Sequence, residues 1–242
     1  MLQKQSSRRF FTRVSYIVTI LVFSCFLLAI ALFIDSRLRI KYIKIENSIT
    51  ASRLEGLLGF NNRRIYLLTP NVIENKIRQD NPTIRKAIAR IIYPDTLSVF
   101  VTYYEPVVVL ESDSGFYSLS EDGVVLNKTR DNPNLNLPVL EYYQSIQYSN
   151  TKVGDKINYK DILMALSVIV SSQNINFQID SIDIRGENMI VCKVKDREII
   201  FTTERDKDRQ LYEYAAVVKQ FKIQGKDFKS LDLRFNKPVV LF

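Results

Sequence analysis

The sequence predicts an α+β protein carried on a single transmembrane helix, and three observations carry that prediction. Residues 14–34 hold no charged side chain. From residue 40 onward, short apolar runs alternating with polar residues recur between turn signals, as half-buried strands require. Between them lie stretches in which apolar residues return at helical spacing behind recognisable caps.

The span is the first element. Its 21 residues at about 1.5 Å rise each cover the ~30 Å of a hydrocarbon core, and Ser15, Thr19 and Ser24 are tolerable inside it. A cleaved secretory signal competes, because Ala29-Ile30-Ala31 has the small-x-small form and Arg8, Arg9 and Arg13 supply a basic leader. The apolar run continues through Leu32-Phe33-Ile34, past the ~7–15 residues of a signal's apolar region, which favours a retained helix. Lys4, Arg8, Arg9 and Arg13 before the span are matched by Arg37, Arg39, Lys41 and Lys44 after it, so the positive-inside rule gives no orientation. A long domain crosses largely regardless of charge. The expected arrangement is therefore residues 1–13 as a cytoplasmic tail, 14–34 in the cytoplasmic membrane and the folded mass outside, with the reverse topology as the alternative.

Composition narrows the function classes. The net charge is +8, but Lys and Arg are interleaved with Asp and Glu after residue 46 instead of forming a stripe with stacking aromatics, so no nucleic acid is expected as a partner. Fourteen Phe and thirteen Tyr supply material for packed cores. Cys25 lies in the span and Cys192 in an apparent strand, so no disulfide framework is available. Histidine is absent, which excludes His-ligated zinc and the Ser-His-Asp and Cys-His nucleophile systems. No Gly-rich phosphate loop is present, and no cofactor or metal is expected.

Residues 40–106 read as the first folded unit. Ile43 and Ile45 alternate with Lys44 and Glu46 as a strand. Ser52 and Glu55 make a capping-box pattern for a short helix with Leu54, Leu57 and Leu58 on one face and Gly59 at its end. Thr69-Pro70 opens a second helix that carries Val72, Ile73 and Ile77 on one face and stops before Asn81-Pro82. Ile84, Ile88 and Ile92 alternate over a strand, Tyr93-Pro94-Asp95-Thr96 turns the chain, and Leu97, Val99 and Val101 alternate back. The order is β-α-α-β-β.

That order, with Ala87, Arg90, Tyr93-Pro94-Asp95-Thr96-Leu97, Val99, Val101 and Glu105-Pro106-Val107, resembles the POTRA domain of the bacterial cell-division proteins FtsQ and DivIB. Tyr103-Tyr104 departs from the Glu-Arg pair usual there. Arg90 is either a solvated residue on the strand's outer face or a POTRA contact with a partner.

Residues 107–242 read as a second, mixed α+β unit with an antiparallel sheet. Apolar runs at 107–110, 115–119 and 124–126 surround the hairpin signal Asp122-Gly123. Ile162, Leu163, Leu166, Ile169 and Val170 mark a helix, and Ile182, Ile184, Ile190, Val191 and 199–201 mark three strands. A helix over 206–223, with Leu211, Tyr214, Ala215, Val218 and Phe221 on one face, leads through Gly225 to strands at 231–235 and 238–242. Asp122-Gly123-Val124, Leu137-Pro138-Val139-Leu140 and Leu231-Asp232-Leu233-Arg234-Phe235 resemble the FtsQ β domain. The likeness weakens at Thr202-Thr203-Glu204, where family members carry a glycine before a Lys-Leu helix start.

Catalysis has no evident home. Ser149-Asn150-Thr151-Lys152 matches S-x-x-K, and Ser172-Gln173-Asn174 is a conceivable second element. The first lies in a polar loop instead of at a helix start, and no K-T-G follows. The resemblance implies a non-catalytic divisome scaffold at the septum that docks FtsB/FtsL (DivIC)-type bitopic coiled-coil proteins and other septal membrane proteins. The second reading, a POTRA-bearing envelope assembly or secretion factor, would be marked by repeated POTRA units and a β-barrel, and neither pattern is evident.

The expected partner-binding residues are Arg234, Phe235, Pro238, Val239, Val240, Leu241 and Phe242. Arg234 aligns with the arginine that pairs with an acidic partner residue in the family, the alternative being a surface ion pair within the chain. Pro238 lacks a ladder donor and fits a strand start or an edge, and the uncharged run after it invites an added strand. The alternative is burial of that run against the helix face 211–221.

Overall fold

The computed structural model describes residues 3–46, 54–131, 133 and 136–242, with side chains from residue 19 onward. These fall into two compact units, one reaching to Asp80 and including Lys86–Val101, the other made of Asn81–Arg85 and Thr102–Phe242.

Helix α1 (Gln3–Arg37) starts well before the apolar span, because no Gly or Pro interrupts residues 3–37. Its Thr19–Arg37 portion has a mean hydropathy of 2.3 and no buried residue, and it is long and apolar enough to cross a membrane. The chain then pairs residue by residue with a later loop: Ile40 N–H donates to Arg63 O (3.0 Å) and Ile65 N–H to Leu38 O (2.9 Å).

Strand β1 (Tyr42–Glu46) runs parallel to the central strand β3 (Thr96–Tyr103), and β2 (Ile84–Ile92) forms the other edge. Helix α2 (Pro70–Asp80) begins with its proline in the first turn, where a missing N–H costs nothing, and ends before Asn81-Pro82 as expected. Three expectations need correction. Ser52 lies outside the described residues, and in place of the expected short helix the chain makes a 3-10 turn over Leu57–Phe60 with Gly59 inside it; Leu54 and Leu57 are buried but Leu58 is fully in solvent. On α2 the buried face is Ile73 and Ile77, while Val72 is exposed. On β2, Ala87 and Ala89 are buried together with Ile84, whereas Ile88 is half-buried and Ile92 exposed. Glu74 of α2 accepts the Ala89 N–H (2.9 Å), which ties the helix to this edge strand.

The second unit is built on a nine-stranded sheet of β4 (Val108–Ser112), β5 (Gly115–Leu119), β6 (Val125–Thr129), β7 (Val139–Tyr142), β8 (Ser181–Ile184), β9 (Met189–Val194), β10 (Arg197–Thr202), β11 (Ser230–Asp232) and β12 (Val239–Leu241). Their order is β12-β11-β10-β9-β8-β7-β4-β5-β6. The Asp122-Gly123 signal is a true turn between β5 and β6. Gly123 has φ +80°, and a Cβ there would lie 2.6 Å from Ile157 O, so only glycine fits. Strand β7 escaped the sequence reading, yet it pairs parallel with both β4 and β8 and joins the two halves of the sheet.

Helices α3 (Lys160–Asn174) and α4 (Lys207–Gln224) contribute to one core with alternate strand residues Ile182, Ile184, Ile190, Cys192, Ile199 and Phe201. Asp206 caps α4 by accepting the Arg209 N–H (2.8 Å), and Gly225 closes it in the left-handed conformation. At the centre, Tyr214 packs edge-on against Phe177 and Phe201, and its hydroxyl lies 2.9 Å from Ser172 Oγ.

Burial pushes the Tyr214 phenol well above its ordinary value of 10. The unfolded chain therefore loses this proton first, so the stability Tyr214 contributes is complete below about pH 10 and falls as pH rises beyond it. Thermal melts of Tyr214→Phe should show a loss of about 0.5–1.5 kcal/mol near neutrality, from the missing hydrogen bond, and a shallower decline above pH 10 than the parent. An equal decline in both would show that Tyr214 is not the titrating group.

Candidate partner-docking edge

The two edges of the large sheet are chemically unlike. The β6 edge is polar and covered. Val125 N–H donates to Asp155 O (2.9 Å), Gly154 N–H donates to Val125 O (2.8 Å), and Lys128 Nζ donates to Thr151 O (2.7 Å) while lying 4.1 Å from the centre of the Tyr148 ring. A loop thus occupies the outer side of that strand. The β12 edge has no such cover among the described residues. Its single strand neighbour is β11, in antiparallel register with Ser230 opposite Leu241, Leu231 opposite Val240 and Asp232 opposite Val239.

The side chains of β12 alternate. Val240 turns inward and packs against the main core, while Val239, Leu241 and the following Phe242 are 52%, 62% and 68% exposed. The Phe242 ring lies 5.9 Å from Phe221, which in turn packs edge-on against Phe228 at 5.3 Å. One side of the segment therefore leans on α4, and the other stands open. Pro238 immediately precedes the strand, where its missing donor interrupts no ladder bond.

Beside this edge, Arg234 does not stand free. Its Nη2 donates to Asp232 Oδ2 (2.7 Å), its Nε to Oδ1 (3.0 Å) and its own backbone N–H to Oδ1 (3.0 Å), and its guanidinium lies over the exposed Phe235 ring at 5.7 Å. Partial burial pushes the Asp232 carboxyl up, but the side-chain and backbone donors of Arg234 outweigh this and hold it below the ordinary range. The pair organises the chain between β11 and β12 and leaves the Arg234 side chain 38% exposed.

Two residues that sequence reading passed over position this region. Gln210, fully buried in the first turns of α4, accepts the Thr202 N–H (3.1 Å) and donates to Thr202 O (2.9 Å), closing the end of β10 onto the helix. Arg205 pairs with Glu213 (3.0 Å) and also donates to Leu233 O, which joins α4 to the segment carrying Arg234. Both belong to the stretch after Thr202-Thr203-Glu204, where a polar pattern reads in sequence as solvated surface. Arg90 is exposed on β2, the edge strand of the small sheet.

Ser149 and Lys152 lie in an exposed turn, where Ser149 Oγ donates to its neighbour Asn150. Ser172 is buried at the end of α3, donating to Val168 O (2.7 Å). The three are not gathered into a site. A cavity of about 410 Å³ beside α3 is lined by Leu137, Pro138, Gln173, Asn176 and Phe177 among others, with no ionisable side chain on its walls.

A family model described as the C-terminal part of the cell division protein FtsQ/DivIB matches residues 108–234, more than half of the chain. The chain belongs to the FtsQ/DivIB family of cell-division proteins. The match ends at Arg234, so β12 lies just beyond it. Over 208 residues the sequence is 24% identical to the cell division protein DivIB of Clostridium tetani, covering 84% of this chain and 75% of that protein. The solved major extracytoplasmic domain of Geobacillus stearothermophilus DivIB aligns with 50% of this chain and 97% of its own, at 18% identity and a TM-score of 0.33. The FtsQ/DivIB assignment and the apolar α1 together fit a single-pass membrane protein of cell division.

Proposed function

We propose that this FtsQ/DivIB-family chain is a non-catalytic divisome scaffold whose β12 edge takes up a strand from an FtsB/FtsL (DivIC)-type coiled-coil partner outside the cytoplasmic membrane. The carrying observation is the contrast between the two ends of the sheet: β6 is covered by the chain's own loop, and β12 is left apolar and open. A bare apolar edge invites aggregation unless something pairs with it. Strand addition would satisfy the unpaired backbone and place partner side chains against Val239, Leu241 and Phe242. Arg234, already pre-oriented by Asp232, would present its remaining donors to an acidic partner residue. The exposed Arg90 on β2 is proposed as a separate partner contact of the first unit.

The partner experiment uses the full chain in detergent, with an FtsB/FtsL-type complex as bait. Val239→Lys with Leu241→Lys should lower capture at least tenfold while the melting temperature stays within error, because both side chains already face solvent. Val240→Pro should also abolish capture, but with some loss of stability, since Val240 opposes Leu231 and touches the core. Arg234→Glu should weaken capture severalfold at small cost in stability, in keeping with the ~0–1 kcal/mol of an exposed pair. Undiminished capture by the double-lysine variant would remove β12 from the interface.

Topology is tested separately. Protease added outside spheroplasts should degrade the chain beyond residue 38 and spare α1, with a tag at the N-terminus remaining protected. Protection of the folded units would place them in the cytoplasm and end the extracytoplasmic reading.

A further inference from the structure

The exit of α1 carries a second feature, independent of the partner edge and resting only on α1 crossing the membrane. Asp35 comes directly after the apolar run, and its carboxylate is a gathering point. Oδ2 accepts from Arg39 Nη2 (2.7 Å), and Oδ1 accepts from the Tyr66 hydroxyl (2.7 Å) and from Arg64 Nε (2.9 Å). The backbone reinforces this, since Leu38 and Ile40 exchange hydrogen bonds with residues 62–65. Arg64 and Tyr66, about thirty residues along the chain, are thus held within one side chain's length of the point where the helix leaves the hydrocarbon. That depth is the headgroup layer.

The chemistry collected there suits such a layer. Arg37, in the last turn of α1, is exposed and lies over the Phe33 ring at 5.4 Å; Arg63 is exposed and lies near the Phe60 ring at 5.9 Å. Four arginines, at 37, 39, 63 and 64, against the one carboxylate of Asp35 leave three positive charges. Lys41 is not counted, because Asp95 stands 3.9 Å from it. Beside the arginines, Tyr66 and Leu67 are 47% and 67% exposed, an aromatic and an aliphatic side chain next to fixed positive charge. Tyrosine favours the membrane interface, arginine binds phosphate with a geometry lysine lacks, and basic residues next to a span attract anionic lipid.

We propose that Arg37, Arg39, Arg63 and Arg64, assembled around Asp35, form a docking surface for anionic phospholipid headgroups, and that this surface holds the loop 63–67 of the first unit against the membrane. Asp35 is then a positioning residue: it carries the loop's arginines to headgroup depth without contacting lipid itself.

The chain has no tryptophan, so Leu67→Trp supplies a single indole reporter at an exposed position. The full chain with this substitution is placed in nanodiscs of phosphatidylcholine mixed with phosphatidylglycerol, with one or the other lipid brominated high on its acyl chains. At equal mole fractions, brominated phosphatidylglycerol should quench the more strongly, with a local enrichment of about fivefold or more, the factor expected per net basic residue near an anionic surface. Adding Arg37→Gln and Arg63→Gln, neither of which bonds Asp35, lowers the net charge of the patch from three to one and should cut the preference for phosphatidylglycerol severalfold without changing the melting temperature. Absence of quenching by either lipid, equal quenching in the parent, or an undiminished preference in the double-glutamine variant would each overturn the proposal. None of these outcomes bears on capture of a partner at β12.

Discussion

A β-sheet that does not close into a barrel must end twice, and how it ends governs the rest of this molecule. Each edge strand carries a row of backbone donors and acceptors that water, the chain or another protein must satisfy. At β6 the chain does so itself, with Asp155 O and Gly154 N–H pairing to Val125, while the Lys128 ammonium holds the covering loop by donating to Thr151 O. At β12 it provides a proline, a three-residue strand and the exposed apolar side chains of Val239, Leu241 and Phe242 instead. The buried interior between those edges is continuous, with α3 and α4 joined to strand residues in one core, so the sheet offers a rigid template for whatever pairs with it.

That rigidity has a local origin at the β11–β12 end of the sheet. Strand β11 is only three residues long and would be a weak platform alone. It is held on one side by its parallel pairing with β10 and at its end by Arg205, which reaches from the start of α4 to Leu233 O. Gln210 fixes the same helix to the end of β10 through two hydrogen bonds to one residue's backbone. A buried amide in this position stabilises only because both of its functions are satisfied; the cost of leaving Thr202 unpaired is what ties α4 to the sheet.

Much of this was legible in the sequence where one physical signal dominated. The α4 boundaries are set by Asp206 as cap and Gly225 as left-handed stop, and Asp122-Gly123 specified its turn because Ile157 O leaves no room for a side chain. Strand β7 was not legible, because a four-residue strand beside Pro138, buried among parallel neighbours, shows neither alternation nor length. On β2 the isoleucines carry the stronger signal in sequence, yet Ala87 and Ala89 are buried with Ile84 while Ile88 is half-buried and Ile92 exposed, because alanine's small apolar surface marks no period. The β12 edge was half legible: the sequence shows an uncharged apolar run, but only the three-dimensional arrangement shows that Val240 and Phe242 lean on the protein while Val239 and Leu241 do not. For Arg234 the sequence leaves open a partner's acidic residue or an ion pair within the chain, and the structure pairs it with Asp232 two residues away. Gln210 and Arg205 left no signal, because a polar residue buried by long-range pairing looks the same in sequence as one in solvent.

Hydrogen exchange at the backbone amides of residues 239–242, measured on the full chain with and without an FtsB/FtsL-type partner, tests the central claim most directly. Strand addition to β12 predicts that these amides exchange rapidly in the free protein and become strongly protected in the complex, while β6 is unchanged. Partner binding that leaves residues 239–242 as unprotected as before would contradict it.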